Sequence, residues 1–164
     1  MITSKKIVIT GQFGVGKSSL FNRFITNTFN EKYLTTIGVR VDKKVIRLKQ
    51  AEITLMLWDL AGEISQEKVP RQYFAGAHGI IYVFDLSRPS TYARIKEDME
   101  HIERVMPDAL IYKIGNKRDL ADEAAINRAM AEAAPQALTS AKTGENVIEL
   151  FTEMAARLAG IDVE

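Results

Sequence analysis

Apolar residues recur along the chain with two different periods, and the two kinds of segment alternate. Short runs rich in β-branched residues predict strands at residues 7–9, 39–48, 53–58, 80–84 and 110–114, and a sixth at Leu138. Several of these runs are almost continuously apolar, which is typical of strands that are covered on both faces. The second and third runs are separated only by a short turn near Gln50 and Ala51, which predicts a hairpin.

Apolar residues spaced three and four apart predict two longer helices. The first apolar stripe runs from Tyr92 to Met106 and should stop at Pro107. The second runs from Val147 to Leu158, with Gly160 as its C-terminal cap. Strands that alternate with helices predict an α/β fold, with a six-stranded, mostly parallel sheet and helices on both faces. Ligands of such folds bind outside the carboxyl ends of the strands, so the loops that follow strands should carry the chemistry.

Composition narrows the classes of function that the chain can have. A length of 164 residues fits one domain, taken as residues 1–164, and a net charge of +1 predicts no nucleic-acid partner. The chain has no cysteine, which excludes disulfides, thiolate zinc sites and cysteine nucleophiles, and predicts no lipid anchor. Without a signal-like segment or an apolar stretch long enough to cross a bilayer, we expect a cytoplasmic location.

The loop after the first strand has the strongest chemical signature. Residues 11–18 read Gly-Gln-Phe-Gly-Val-Gly-Lys-Ser, the Gly-x-x-x-x-Gly-Lys-Ser/Thr pattern, and we call them the phosphate loop. Glycines let backbone N–H groups turn inward, and the following helix adds its positive end. Lys17 supplies a cation for the β- and γ-phosphates, and Ser18 supplies a hydroxyl for Mg²⁺. The alternative is a glycine turn with an incidental Lys-Ser pair, but a preceding apolar strand and a following helix favour phosphate binding.

Four further loops carry polar motifs, in the order Thr36, 59–62, 116–119 and 140–142. Together with the phosphate loop, their order and spacing resemble the Ras superfamily, and residues 71–87 and the Trp-Asp pair at 58–59 resemble its Rab branch. The resemblance covers about the whole chain. It implies the G domain of P-loop NTPases and a switch protein that binds GTP, hydrolyses it to GDP and phosphate with Mg²⁺, and orders two loops, about 30–38 and 60–75, in the GTP state.

The same resemblance implies roles for individual residues. Nucleotide contacts are implied for Phe13, Gly14, Val15, Gly16, Lys17, Ser18, Ser19, Phe29, Tyr33, Thr36, Gly62, Asn116, Lys117, Asp119, Ser140, Ala141 and Lys142. Metal ligation is implied for Ser18 and Thr36 directly and for Asp59 through water. Lys17, Thr36, Gly62, Glu63 and Gln66 are the candidates for a part in catalysis.

The sequence also bears on how the protein recognises guanine and partner proteins. Guanine offers two adjacent donors, and the Asp119 carboxylate could accept both in a bidentate pair, although an Asn-Lys-Arg-Asp run could also be an exposed polar turn. Effector and regulatory proteins are expected at residues 30–41 and 58–75. Trp58 and Tyr73 match two of the three aromatic positions that Rab proteins use to meet effectors, and Val41 stands at the third. Both aromatic residues could instead be simply packed.

The sequence departs from the family pattern where hydrolysis is concerned. Glu63 stands where the family usually has a water-orienting glutamine, and a carboxylate cannot donate a hydrogen bond to the γ-phosphate and repels it. Phe13 stands where the family has a small residue, and no arginine lies between residues 29 and 36. We therefore expect slow hydrolysis without an activating partner. Gln66 lies three residues beyond Glu63 and could take over the water.

Two rival functions stay open at this point. A GTP-locked binding module would hold nucleotide and scarcely hydrolyse it, as Phe13 and Glu63 favour. A P-loop kinase of a small metabolite is the second, but the run at 116–119 and the lack of an acceptor-binding lid argue against it. The chain ends without a hypervariable tail, which fits a prokaryotic relative, another soluble relative or a trimmed chain.

Overall fold

A single six-stranded sheet forms the centre of the computed structural model, which describes residues 2–29, 38–62 and 66–162. Its strands are β1 (Ile2–Gly11), β2 (Val39–Arg47), β3 (Glu52–Leu60), β4 (Gly79–Asp85), β5 (Leu110–Asn116) and β6 (Ala137–Leu138). They lie in the order β2-β3-β1-β4-β5-β6, and only β2 runs antiparallel to its neighbour. All six predicted strands are confirmed, and the α/β prediction with them.

Among the described residues, five helices connect or follow these strands. They are α1 (Lys17–Thr26), α2 (Arg71–Phe74), α3 (Ile95–Val105), α4 (Glu123–Glu132) and α5 (Val147–Leu158), and 3-10 turns lie at Gln66–Lys68, Pro89–Thr91 and Arg118–Leu120. The predicted start at Tyr92 was wrong, because the proline at position 89 begins a 3-10 turn that Tyr92 closes before α3. The role of Gly160 at the C-terminal end of α5 is confirmed: it follows the cap residue Ala159 and has the left-handed φ of +71° that a glycine accepts.

The core lies in two layers, one on each face of the sheet. On one face Ile7 and Ile9 of β1 pack beneath α1 and α5, where the rings of Phe24 and Phe151 stack with their centroids 4.1 Å apart. On the other face Val8 packs beneath α3. Alternate residues of one strand thus belong to opposite core layers, which is why the sequences of these strands are continuous apolar runs.

This architecture brings the carboxyl ends of the parallel strands to one edge of the sheet. The loops that follow β1, β3, β4, β5 and β6 therefore all open on the same side. Among the helices of the described residues, none is both long and apolar enough to cross a membrane.

Candidate nucleotide site

The phosphate loop joins the end of β1 to the start of α1. Gly16 is the N-cap of α1, with φ of +98° and no side-chain cap, and the first turn contains no acidic residue. A Cβ on Gly16 would lie 2.3 Å from Nδ2 of Asn116, so only glycine fits both the conformation and the space. The positive end of a ten-residue helix is thus directed at the loop, and the first turn of the helix contributes no carboxylate of its own to neutralise it.

Lys17 lies inside the loop and is only 6% exposed. Its ammonium donates to the carbonyl oxygens of Gly11 at 3.1 Å and Gln12 at 2.7 Å. Burial lowers the pKa of Lys17 to about 8, and the nearby Asp59 carboxylate acts in the opposite direction. The loop therefore holds a cation at its centre. The described residues surround this cation with two neutral carbonyls and one neighbouring carboxylate, and phosphate oxygens would be better partners.

Ser18 and Asp59 meet beside this cation. Asp59, at the end of β3, is fully buried, and Ser18 Oγ donates to its Oδ2 at 2.6 Å. In the described part of the chain no group of three or more His, Cys, Asp or Glu could hold a metal by itself. Within the described residues, the Ser18 hydroxyl and the Asp59 carboxylate fit Mg²⁺, which is commonly held by one or two protein oxygens together with substrate phosphates.

Asn116, at the end of β5, ties three loops together. Its side chain is buried, and its Nδ2 donates to the carbonyl of Val15 at 3.0 Å. Its Oδ1 accepts from Thr139 Oγ1 at 3.0 Å and from the Ala141 amide at 3.2 Å. The carboxamide that the family resemblance assigns to base reading therefore also braces the phosphate loop against the loop after β6.

Lys117 and Asp119 follow Asn116 and differ in their surroundings. Lys117 has a left-handed φ of +64°, and its ammonium donates to the Gly14 carbonyl at 2.8 Å and lies 3.2 Å from Oδ2 of Asp85. Asp119 is exposed, and its Oδ1 accepts from Ser140 Oγ at 2.7 Å. The aliphatic stem of Lys117 thus spans from the loop after β5 to the phosphate loop, whereas the exposed Asp119 is bonded to Ser140 in the loop after β6.

Three contributors to this arrangement were missed by the sequence analysis. Arg23 on α1 donates from Nε to the Ala141 carbonyl at 2.8 Å and from Nη2 to the Lys142 carbonyl at 2.6 Å. Asp85 and Thr139 are the other two. Asp85 could have been found, since it is a polar residue directly after an apolar strand. Arg23 could not, because only the packing of α1 against the last loop brings it there.

The remaining predicted residues lie around this centre or outside the described range. Phe13 is 52% exposed, and a Cβ on Gly62 would lie 2.5 Å from its Cα, so the first and third loops touch. Ser19 is half-buried, and Phe29 packs partly buried against the core layer of α1 and α5. The predictions for Tyr33, Thr36 and Glu63 fall on residues outside the described ones.

The residues predicted to meet effectors are partly described. Trp58 and Val41 are directly paired across β3 and β2, Val41 is 44% exposed, and the Lys6 ammonium lies 3.8 Å from the centre of the Trp58 ring. Trp58 and Tyr73 are half-buried and pack against the core layer of α3. Both aromatic residues are thus packed against the core, and each also keeps part of its surface exposed.

The sheet order and the phosphate loop at the carboxyl edge of the sheet define an α/β P-loop GTPase. A family model described as Ras family matches residues 6–159, and the chain belongs to the Ras family. Among its relatives is the GTP-binding protein ypt1 of Schizosaccharomyces pombe, 31% identical over 160 residues, which are 93% of this chain and 79% of that protein. The predicted Rab-like membership of the Ras superfamily is confirmed, and the protein is a GTP-binding switch GTPase.

Proposed function

We propose that residues 1–164 form one G domain that binds GTP and Mg²⁺ with the phosphate loop and the four further motif loops. This domain hydrolyses GTP slowly unless a partner assists. The observation that carries the slow rate is the position of Phe13, a large side chain that is 52% exposed and whose backbone lies against Gly62. Lys17 and the first amides of α1 neutralise the phosphate charge. Ser18 and Thr36 would ligate Mg²⁺ and Asp59 would hold it through water; the bound ion supplies charge neutralisation at the β- and γ-phosphates.

Guanine selection rests on Asp119, with Asn116 and Lys117 holding the shape of its loop. A carboxylate that accepts two donors from one base edge is a geometry that adenine cannot satisfy. Ser140 occupies one Asp119 oxygen at 2.7 Å and so fixes the rotation of the carboxylate. The loop is thereby held ready before the base arrives, which reduces the entropy lost on binding.

Slow turnover follows from two side chains at the γ-phosphate end. The Gly62 amide is the group expected to meet the γ-phosphate. The backbone and Cβ of Phe13 lie against Gly62, so the half-exposed Phe13 side chain starts from this end of the site. Glu63 is the next residue along the chain, and its carboxylate would repel the transferring group while lacking a proton to donate. Both effects raise the barrier to hydrolysis without weakening the contacts that bind GDP.

Gln66 acts through the fold and not on the attacking water. Its side chain is 1% exposed, and its carboxamide oxygen accepts a hydrogen bond from Thr10 Oγ1 at 2.7 Å. Using that oxygen for water would break this buried contact and leave the Thr10 hydroxyl without its acceptor. We therefore favour Glu63 over Gln66 as the residue that governs the rate.

Single-turnover phosphate release tests this proposal, with Mg²⁺-saturated protein loaded with GTP. Phe13→Gly and Glu63→Gln should each hydrolyse about tenfold faster than the parent, about 1.4 kcal/mol of barrier, with GTP affinity little changed. Gln12→Ala is the matched control, since Gln12 is the neighbouring loop residue and its side chain contacts only the Ser90 carbonyl, at 3.4 Å, among the hydrogen bonds of the described residues. A slower Glu63→Gln protein would instead identify Glu63 as a working base and overturn the proposal.

A second candidate function is a GTP-locked binding module, which the bulk of the half-exposed Phe13 side chain next to Gly62 also favours. The parent protein decides between the two. Phosphate release that is detectable within hours and depends on Mg²⁺ supports the slow GTPase, whereas release no faster than that of free GTP supports the binding module.

Partners are proposed to bind at residues 30–41 and 58–75. Support comes from the described part of this surface, where the exposed Val41 lies beside Trp58 at the edge of the sheet. A pull-down that compares GDP-loaded protein with protein loaded with non-hydrolysable GTP tests it. Trp58→Ala should lose the GTP-dependent partners, and Val45→Ala, an equally exposed valine farther along β2, should keep them.

A further inference from the structure

Four polar side chains meet inside the apolar core layer between the sheet and α3. Thr10 and Gln66 are each 1% exposed, Asp98 is 2% exposed and Tyr82 is fully buried. Their surroundings are the apolar side chains of the α3 core layer, including Val8 and Ile102. Polar groups buried in such surroundings destabilise the fold unless they are hydrogen-bonded, so their pairing is decisive.

The four residues form one connected chain of hydrogen bonds. The Tyr82 hydroxyl donates to Asp98 Oδ2 at 2.6 Å, and the Gln66 backbone N–H donates to Asp98 Oδ1 at 3.1 Å. Thr10 Oγ1 donates to Gln66 Oε1 at 2.7 Å. Each Asp98 oxygen thus has its own donor, and residue 66 is bonded through both its backbone and its side chain. We call these four residues the buried polar cluster.

Gln66 lies at the junction between the loop that follows β3 and helix α2. Gln66 begins the 3-10 turn that leads into α2, four residues after Gly62. This turn is closed by the Val69 amide, which donates to the Gln66 carbonyl at 3.2 Å. Val69 and Phe74 are both buried. The cluster therefore attaches the chain to β1, β4 and α3 at the point where the nucleotide-facing loop ends and α2 begins.

We propose that Asp98 and Tyr82 are positioning residues that hold Gln66 in place in both nucleotide states. The rearrangement that follows loss of the γ-phosphate then ends at residue 66, and α2 keeps its place. This inference rests on the proposed contact of Gly62 with the γ-phosphate. Moving Gln66 would leave a buried carboxyl oxygen and the Thr10 hydroxyl without their partners, which is costly in a low-dielectric interior. The moving loop is therefore shorter than the range 60–75 that the family resemblance implies.

Hydrogen exchange measured by mass spectrometry tests the inference on protein loaded with GDP and with non-hydrolysable GTP. In the parent, peptides within 66–74 should exchange at the same rate in both states, within about twofold, while peptides that contain Gly62 should differ. In the GDP form, Asp98→Leu should speed exchange of 66–74 at least tenfold, and Tyr82→Phe about threefold. Asp98→Asn should restore a rate near that of the parent, because its amide can still accept from Gln66 and donate to the Tyr82 oxygen.

Tyr92→Phe is the matched control. Tyr92 is a buried tyrosine of the same core layer, and its hydroxyl has no hydrogen-bond partner among the described residues. Its loss should leave exchange of 66–74 unchanged.

The possible failures are distinguishable. If exchange of 66–74 in the parent differs tenfold between the two nucleotides, or if Tyr82→Phe behaves like Tyr92→Phe, the inference is overturned, even where Asp98→Leu cannot be purified folded. If peptides containing Gly62 show no nucleotide dependence in protein that retains both nucleotides, the proposed contact of Gly62 has failed, and this inference fails with it.

Discussion

Replacing Asn116 by alanine should destabilise the protein itself, and not only its complex with nucleotide. The Asn116 carboxamide makes three hydrogen bonds, to Val15, Thr139 and Ala141, at 3.0, 3.0 and 3.2 Å. A side chain that merely contacted the base would be dispensable in the protein without nucleotide. A brace between loops is not.

The size of the effect follows from the three bonds. Each contributes about 1 kcal/mol net, so Asn116→Ala should lower the free energy of unfolding by about 3 kcal/mol. For a domain of this length, that corresponds to a fall in melting temperature of about 6–12 °C. Thr139→Val, which removes one of the three donors and keeps the shape of the side chain, should cost about 1 kcal/mol.

The measurement is urea unfolding of nucleotide-free protein, followed by circular dichroism, with GDP affinity measured separately. Bound nucleotide adds its own stabilisation, so the two quantities must not be read from one melting curve. Asp119→Ala is the matched control. It is exposed and has one described hydrogen bond, to Ser140, so its unfolding free energy should fall by about 1 kcal/mol or less while GDP affinity falls strongly.

The opposite pattern would refute the reasoning. If nucleotide-free Asn116→Ala unfolds within about 0.5 kcal/mol of the parent while GDP binding is lost, Asn116 is a base contact and the bracing bonds contribute little. An m-value that changes with the substitution would indicate instead that unfolding is no longer two-state, and exchange rates of the Ala141 amide would then report the brace directly.

Three further outcomes are expected. Asp119→Asn should weaken GDP binding by about 2–3 kcal/mol in a nucleotide-binding assay and shift preference toward xanthine, whose extra carbonyl accepts the new amide donor; unchanged GDP affinity would contradict the assignment of Asp119 to the base. Burial holds the pKa of Lys17 at about 8, below its ordinary value of 10.5, so the unfolded chain binds more protons in this window and stability should rise from about pH 8 to pH 10; urea unfolding of Lys17→Met should lack this rise. Tyr82→Phe should lower the melting temperature by about 4–8 °C, since a hydroxyl bonded to a carboxyl group at 2.6 Å is lost, whereas Tyr92→Phe should be neutral or stabilising; equal shifts for the two would contradict the pairing of Tyr82 with Asp98.

The sequence predicted the sheet and its functional edge because both depend on local patterns. Each parallel strand is an apolar run between loops, and burial on both faces of a sheet requires such a run. The motif loops follow the strands directly, so their meeting at one edge is a consequence of parallel pairing. The same reasoning misplaced the start of α3, because Tyr92 is a core residue that caps the 3-10 turn before α3, and periodicity does not distinguish such a residue from a helical one.

What local patterns could not give are the contacts that cross between elements. Arg23 is an ordinary helix arginine until α1 packs beside the loop at 140–142. Asp98 did carry a signal that was overlooked. It lies three residues after Ile95 and four before Ile102, on the buried stripe of α3, where a carboxyl group needs an internal partner. That partner, the Gln66 amide, lies 32 positions away in the chain, and only the folded protein brings the two together.

The contacts around Asn116 and Lys117 also bear on how long a nucleotide stays bound. Asn116 links the phosphate loop to the last loop, Lys117 reaches back to Gly14, and Arg23 joins the last loop to α1. The segments at the two ends of the ligand are thus parts of one closed circuit. Loosening any one link frees both ends together, so we expect dissociation to be a single slow, cooperative event without a half-released intermediate. A protein that accelerates nucleotide exchange then needs to displace only one of these linked segments, at either the base end or the phosphate end, to release the whole nucleotide.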